Sequence, residues 1–137
     1  MPLFIQQNSQ SSIAYSAYTV KRASRALSCA PFKLNLFLAM ITESVPLPLI
    51  AGKLGINNSY TSKIVSENRV DHELGWLIQV GLLRREVDGQ GITDSFRLTP
   101  LGKQIIAQWR KNQGEIPAPS LGDRFFNFCT RWLRFPI

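Results

Sequence analysis

Cysteine is scarce in this 137-residue chain: Cys29 and Cys129 are the only two, far apart in sequence. They form no Cys-x-x-Cys pair and no Cys/His metal spacing. That excludes a disulfide framework or a zinc motif as the organising device and leaves reduced cytoplasmic thiols as the expectation. Histidine is scarcer still. His72 stands alone between Asp71 and Glu73. With no second ligand at i+3 or i+4, it reads as a surface or capping residue, not as a metal ligand or general base. No apolar run approaches the ~20 residues of a membrane-spanning helix. Residues 1–10 lack the basic start of a secretory signal and are broken by polar side chains. The glycines at 89 and 91 are not followed by Lys-Ser/Thr as in a phosphate loop, and there is no Gly-x-Ser-x-Gly. The expectation is a cytoplasmic protein that is not an enzyme and uses no cofactor and no metal. Acidic residues are also few: 9 Asp and Glu stand against 16 Lys and Arg, a net charge of +7. This balance points to a polyanionic partner, nucleic acid first and an anionic membrane surface second.

Hydrophobic residues make up 45% of the chain and charged residues 18%, a globular composition that argues against a mainly disordered chain. The length suits one domain. Residues 1–11 read as a polar arm, and Ser11 and Ser12 as N-cap candidates for a first amphipathic helix ending near Cys29–Ala30. Pro31 opens a second, nearly all-apolar helix through Leu34, Phe37, Leu38, Met40 and Ile41. Ser44–Pro48 is an extended break. A short helix over Leu49–Leu54 is expected to close at Gly55 in the left-handed conformation. A helix follows from Asn57, either continuous to Gly81 or restarted with Asp71 as N-cap. Leu82–Val87 and Ile92–Leu98 form a hairpin around Asp88-Gly89-Gln90-Gly91. Thr99 caps a helix that begins at Pro100, Pro117 and Pro119 stiffen a linker over 114–120, and residues 121–137 form a terminal amphipathic helix.

Residues 49–106 resemble the winged helix-turn-helix of small bacterial regulators of the MarR and PadR type. The segments that carry the resemblance are LIAGKLGINNSYTSKIV, then LIQVGLLRREVDGQGITDSFRLTPLGKQII. The resemblance implies a fold that is mainly α with a small β-hairpin wing, set in a winged-helix domain over residues 12–113. Physical requirements agree with it. Ala51 or Gly52 supplies the small residue where two helices cross, Gly55 the turn, and Ile56, Ile64 and Val65 the inner apolar positions. By resemblance, helix 57–69 enters the major groove of duplex DNA. Asn58, Ser59, Tyr60, Thr61, Ser62, Lys63, Ser66 and Arg69 then form its outer face. Lys53, Arg84, Arg85 and Arg97 are the further phosphate-binding candidates. Asn57–Ser59 serve equally as caps.

The expected function is therefore DNA binding and transcriptional regulation. The alternative is a winged-helix interaction or assembly module without a specific DNA site. Three features motivate that alternative. The wing tip is acidic, with Asp88 and Asp94. The segment between Val65 and Gly81 is longer than the resembled pattern allows. The C-terminal segment places Leu121, Phe125, Phe128, Cys129 and Trp132 on one helical face, with Phe126, Leu133 and Phe135 widening it and Arg124, Arg131 and Arg134 on the remainder. For that face the sequence ranks core packing or a homodimer through the terminal helices first, docking of another protein second and membrane contact last. Tyr15 and Tyr18 of the first helix are expected to share the packing role.

Overall fold

The computed structural model describes residues 15–87, 94–112 and 119–133. The polar arm, the wing tip at residues 88–91, residues 114–118 of the linker, and Arg134 and Phe135 lie outside the described residues.

Helix α1 (Ala17–Cys29) starts behind Ser16, whose Oγ accepts the Thr19 N–H at 3.1 Å. This helix is thus capped by Ser16, not by Ser11 or Ser12. Ala23, Ala26 and Leu27 are its buried stripe. Helix α2 (Leu34–Thr42) buries Leu36, Phe37 and Met40 completely. It begins past Pro31 because Lys33 is held extended, its N–H donated to the Tyr60 carbonyl at 2.8 Å.

The extended break contributes a short strand, β1 (Val45–Pro46). Proline lacks the N–H a central strand would use, and β1 lies at the sheet edge. The sheet is antiparallel with order β1-β3-β2, formed with β2 (Leu83–Val87) and β3 (Asp94–Leu98). Val45 pairs with Phe96, and Leu83 with Leu98, so the alternate residues Leu83, Phe96 and Leu98 meet the core. Between β1 and β2 come α3 (Leu47–Ile50), α4 (Gly52–Asn57) and α5 (Glu67–Gln79). Thr99 caps α6 (Pro100–Asn112): its hydroxyl accepts the Gly102 N–H at 3.1 Å and is also bonded to the Gly81 carbonyl. Helix α7 (Leu121–Phe128) opens on a capping box between Ser120 and Asp123 and continues as a π-helical turn over Cys129–Leu133. The chain is mainly α with a small antiparallel sheet, a β2–β3 hairpin as its wing and additional helices on either side.

The structure corrects the sequence reading most between residues 49 and 69. The short helix is two pieces that meet at an extended Ala51. The glycine in the left-handed conformation is Gly52, with φ of 65°, while Gly55 sits inside α4. A side chain at residue 55 would overlap the Ile50 carbonyl and come within 2.8 Å of Thr61 Oγ1. Gly55 therefore lets two segments cross closely and does not end a helix.

No helix spans 57–69. Residues 58–66 are a loop, with Ser59 at φ of 61°. The N–H groups of Tyr60 and Thr61 return to the Gly55 carbonyl at 2.8 and 3.2 Å. The Val65 carbonyl accepts the Gly52 N–H at 2.8 Å, and the Asn58 amide donates to the Leu49 carbonyl at 3.1 Å. These longer-range partners satisfy polar groups that a helix would have paired locally. Helix α5 starts when Ser66 Oγ accepts the Arg69 N–H. Asp71 is then an interior residue, not a cap. Ile56 and Ile64, expected inside, are exposed, and Val65 is buried.

Candidate functional site

The expected DNA-contacting residues do not form one helical face. Asn58 is tied to the Leu49 carbonyl, Ser59 is in the left-handed turn, and Tyr60 packs partly against the core. Thr61 is 2% exposed, which removes it from any groove contact. Ser62 and Lys63 are exposed in the loop. Ser66 is occupied as the cap of α5, and Arg69 lies in its first turn.

Helix α5 holds the position between the short helices and the wing, and it presents different residues. Glu67, Asn68, Arg69, His72 and Gln79 are exposed along it. Its four formal charges are Glu67, Arg69, Asp71 and Glu73, a net negative set, and carboxylates repel phosphate. The sequence contained the signal for this helix. Ser66 is followed by Val70, Leu74 and Leu77 at helical spacing, all buried.

The wing arginines are engaged within the molecule. Arg84 stands directly across from Arg97, a repulsive pairing that Glu86 relieves by contacting both, at 3.0 Å to Arg84 Nη2 and 3.9 Å to Arg97 Nη1. Arg97 also donates to the Thr42 carbonyl. Arg85 lies over the Phe96 ring and bridges Asp94 at 2.7 Å and Asp71 at 3.6 Å, linking the wing to α5.

The C-terminal segment supplies the largest departure in side-chain placement. Its inner face is mostly polar. Asn127 Oδ1 accepts the Trp76 indole N–H at 2.9 Å, and Arg131 pairs with Glu73 at 2.9 Å while both are nearly buried. Cys129 and Thr130 are buried, and Phe126 packs under the Arg25 guanidinium. Of Leu121, Phe125, Phe128, Cys129 and Trp132, Cys129 alone points inward. Leu121 is 86% exposed, Phe125 60%, Phe128 51% and Trp132 61%. These four residues follow one another at spacings of four, three and four, so they share one face. Together they expose roughly 450 Å² of apolar surface. The largest apolar patch on a folded monomer is typically of this size, about 300–600 Å², and is often functional.

Trp132 also helps wall an open cleft of about 430 Å³ with Asp71, His72, Gly75, Gln79 and Arg85. The C-terminal segment thus stands beside α5. A second cleft, about 390 Å³, lies between α1, α6 and α7 and is lined by Lys21, Arg25, Trp109, Asp123 and Phe126. Nearby, burial pushes the Cys29 thiol up against the opposing pull of Arg124, so it stays protonated at neutral pH. Among the described residues, no group of His, Cys, Asp and Glu is assembled that could hold a metal ion. No described helix is long and apolar enough to cross a membrane.

A family model described as Npun_F0494-like matches residues 13–131. The chain belongs to the Npun_F0494-like family. The match runs from residue 13, ahead of α1, through α7 to Arg131, so α1, the sheet, α5 and α7 fall within one family unit. Comparisons with curated proteins and with solved structures give no match.

Proposed function

We propose that this Npun_F0494-like protein is an interaction module that docks through the outward face of α7 and has no specific DNA site. The observation that carries this reading is the exposure of Leu121, Phe125, Phe128 and Trp132 on a helix whose opposite face is fixed to α1 and α5. Charge placement supports it. The winged-helix reading assigns helix 57–69 to the groove, yet no helix spans those residues, the α5 that follows is net acidic, and Arg84, Arg85 and Arg97 are neutralised by Glu86, Asp71 and Asp94. The reading assigns the chain no catalytic chemistry and places its work in the cytoplasm, with Cys29 and Cys129 as thiols.

One observation favours a second reading. Lys53, Lys63 and Arg69 are exposed around the N-terminal end of α5, where a regulator of the resembled type meets DNA. Fluorescence anisotropy with a generic duplex across a salt series separates the two. The docking reading expects weak binding and a shallow slope of log affinity against log salt, equivalent to about two phosphate contacts or fewer at −0.9 each. Tight binding with a steep slope, collapsing in Lys63→Ala/Arg69→Ala, would restore the DNA reading and overturn this one.

A further inference from the structure

We infer that the exposed face of α7 docks on an anionic lipid surface, lying in the plane of the interface. This rests on the docking reading above and names its occupant. The stripe runs from Leu121 to Trp132, about 16 Å along the axis at helical rise. It is made of Leu, Phe, Phe and Trp, the residue types that an interfacial helix buries at the boundary between headgroups and acyl chains. All four side chains are at least half exposed, so the helix presents a ridge and not a groove. A fluid lipid surface conforms to a ridge, whereas a protein partner must bring a groove cut to it.

Charge selects the sign of the occupant. Arg124 is exposed on α7 itself, on a chain of net charge +7, and Lys21 and Arg25 of α1 line the cleft on the other side of α7 with Asp123 and Phe126. Trp109 lines the same cleft, and Arg110 and Lys111 follow it in the last turn of α6. Among the described residues, Asp123 lines this cleft and is engaged in the capping box with Ser120, and Asp71 lines the cleft that Trp132 walls at the far end of the stripe. Of the described carboxylates, Glu67, Asp71, Glu73, Glu86 and Asp94 belong to α5 and the wing, and Glu43 follows α2. A second copy docking through the same face would bring two chains of net charge +7 together. An anionic bilayer attracts them, each cation near the surface strengthening binding about fivefold at moderate salt.

The test is co-sedimentation of the full chain with vesicles of phosphatidylcholine alone and of phosphatidylcholine with one-third phosphatidylglycerol. Sedimentation equilibrium is run on the same samples without lipid. The inference expects binding to the anionic vesicles, little to the neutral ones, and weakening with salt. Phe125→Ser/Phe128→Ser should abolish binding while leaving the melting curve unchanged, because neither ring is in the core. Arg124→Gln should weaken it about fivefold. Absence of binding to anionic vesicles overturns the inference. If the chain then self-associates through Phe125 and Phe128, or binds an acidic amphipathic Leu/Glu peptide through them, the docking reading stands with another occupant. If none of the three depends on those residues, the docking reading falls as well.

Discussion

Phe96→Ala is expected to destabilise the chain by about 3–5 kcal/mol. Phe96 is wholly buried in β3, the central strand of the sheet. It pairs with Val45 on one side and Arg85 on the other. Its ring also supports the Arg85 guanidinium, which joins the wing to α5 through Asp71. Truncation removes the packing of both neighbouring strands and leaves a void that the short edge strand β1 is too small to refill. Urea unfolding measures the effect as a fall in midpoint at constant slope. Phe96→Leu, which keeps most of the volume, should lose much less. A Phe96→Ala loss below about 1 kcal/mol would contradict the placement of this ring at the centre of the core.

Gly55→Ala is expected to cost about 3 kcal/mol, near the upper end for overpacking, because the overlap is with a backbone oxygen that cannot rotate away. The added methyl would strike the Ile50 carbonyl and crowd Thr61 Oγ1, forcing α3 and the 58–66 loop apart. Gly52→Ala is the informative companion. Residue 52 has a positive φ, but a methyl added there would meet open space, with nothing within 4 Å. Its cost is conformational only, about 1–2 kcal/mol. The structure therefore ranks Gly55→Ala as the more damaging substitution. Equal losses, or the reverse order in thermal melts, would favour the left-handed turn that the sequence suggests at Gly55.

These two glycines show why some of the chain is legible in sequence and some is not. The hairpin, the Thr99 cap and the helix beginning at Pro100 are written in adjacent residues, and local hydrogen bonds realise them. The 58–66 loop is different. Tyr60, Ile64 and Val65 have helical spacing, and Asn57 to Ser59 are good caps. Yet the carbonyls of Tyr60 and Val65 are claimed by the N–H groups of Lys33 and Gly52. Partners that distant in sequence leave no local periodicity to read. Ser66 gives the real helix start, but it competes with earlier cap candidates that carry the same signal.

The candidate docking face shows a second limit. Periodicity places Leu121, Phe125, Phe128 and Trp132 together, but it does not say which side of α7 is inward. That choice follows from the Trp76 indole N–H and the Glu73 carboxylate on α5. Both need polar partners, and Asn127 and Arg131 supply them from the opposite face of the C-terminal segment. A buried donor or charge left without its partner costs more than an exposed apolar side chain gains by turning inward at a shallow surface. The wing arginines follow similar logic. Sequence offers Arg84, Arg85 and Arg97 equally to phosphate or to carboxylate, and the register of the hairpin brings Glu86 and Asp94 within reach.

The central claim is that α7 turns its aromatic face to solvent while its polar face holds it to the body. Hydroxyl-radical footprinting of the full chain, read residue by residue by mass spectrometry, tests this most directly. Strong modification of Phe125, Phe128 and Trp132 with protection of Trp76 and Phe96 is the expected result. Protection of the three stripe residues in the isolated protein, with modification of Trp76, would show the helix packed the other way round and would overturn the outward placement of the aromatic face.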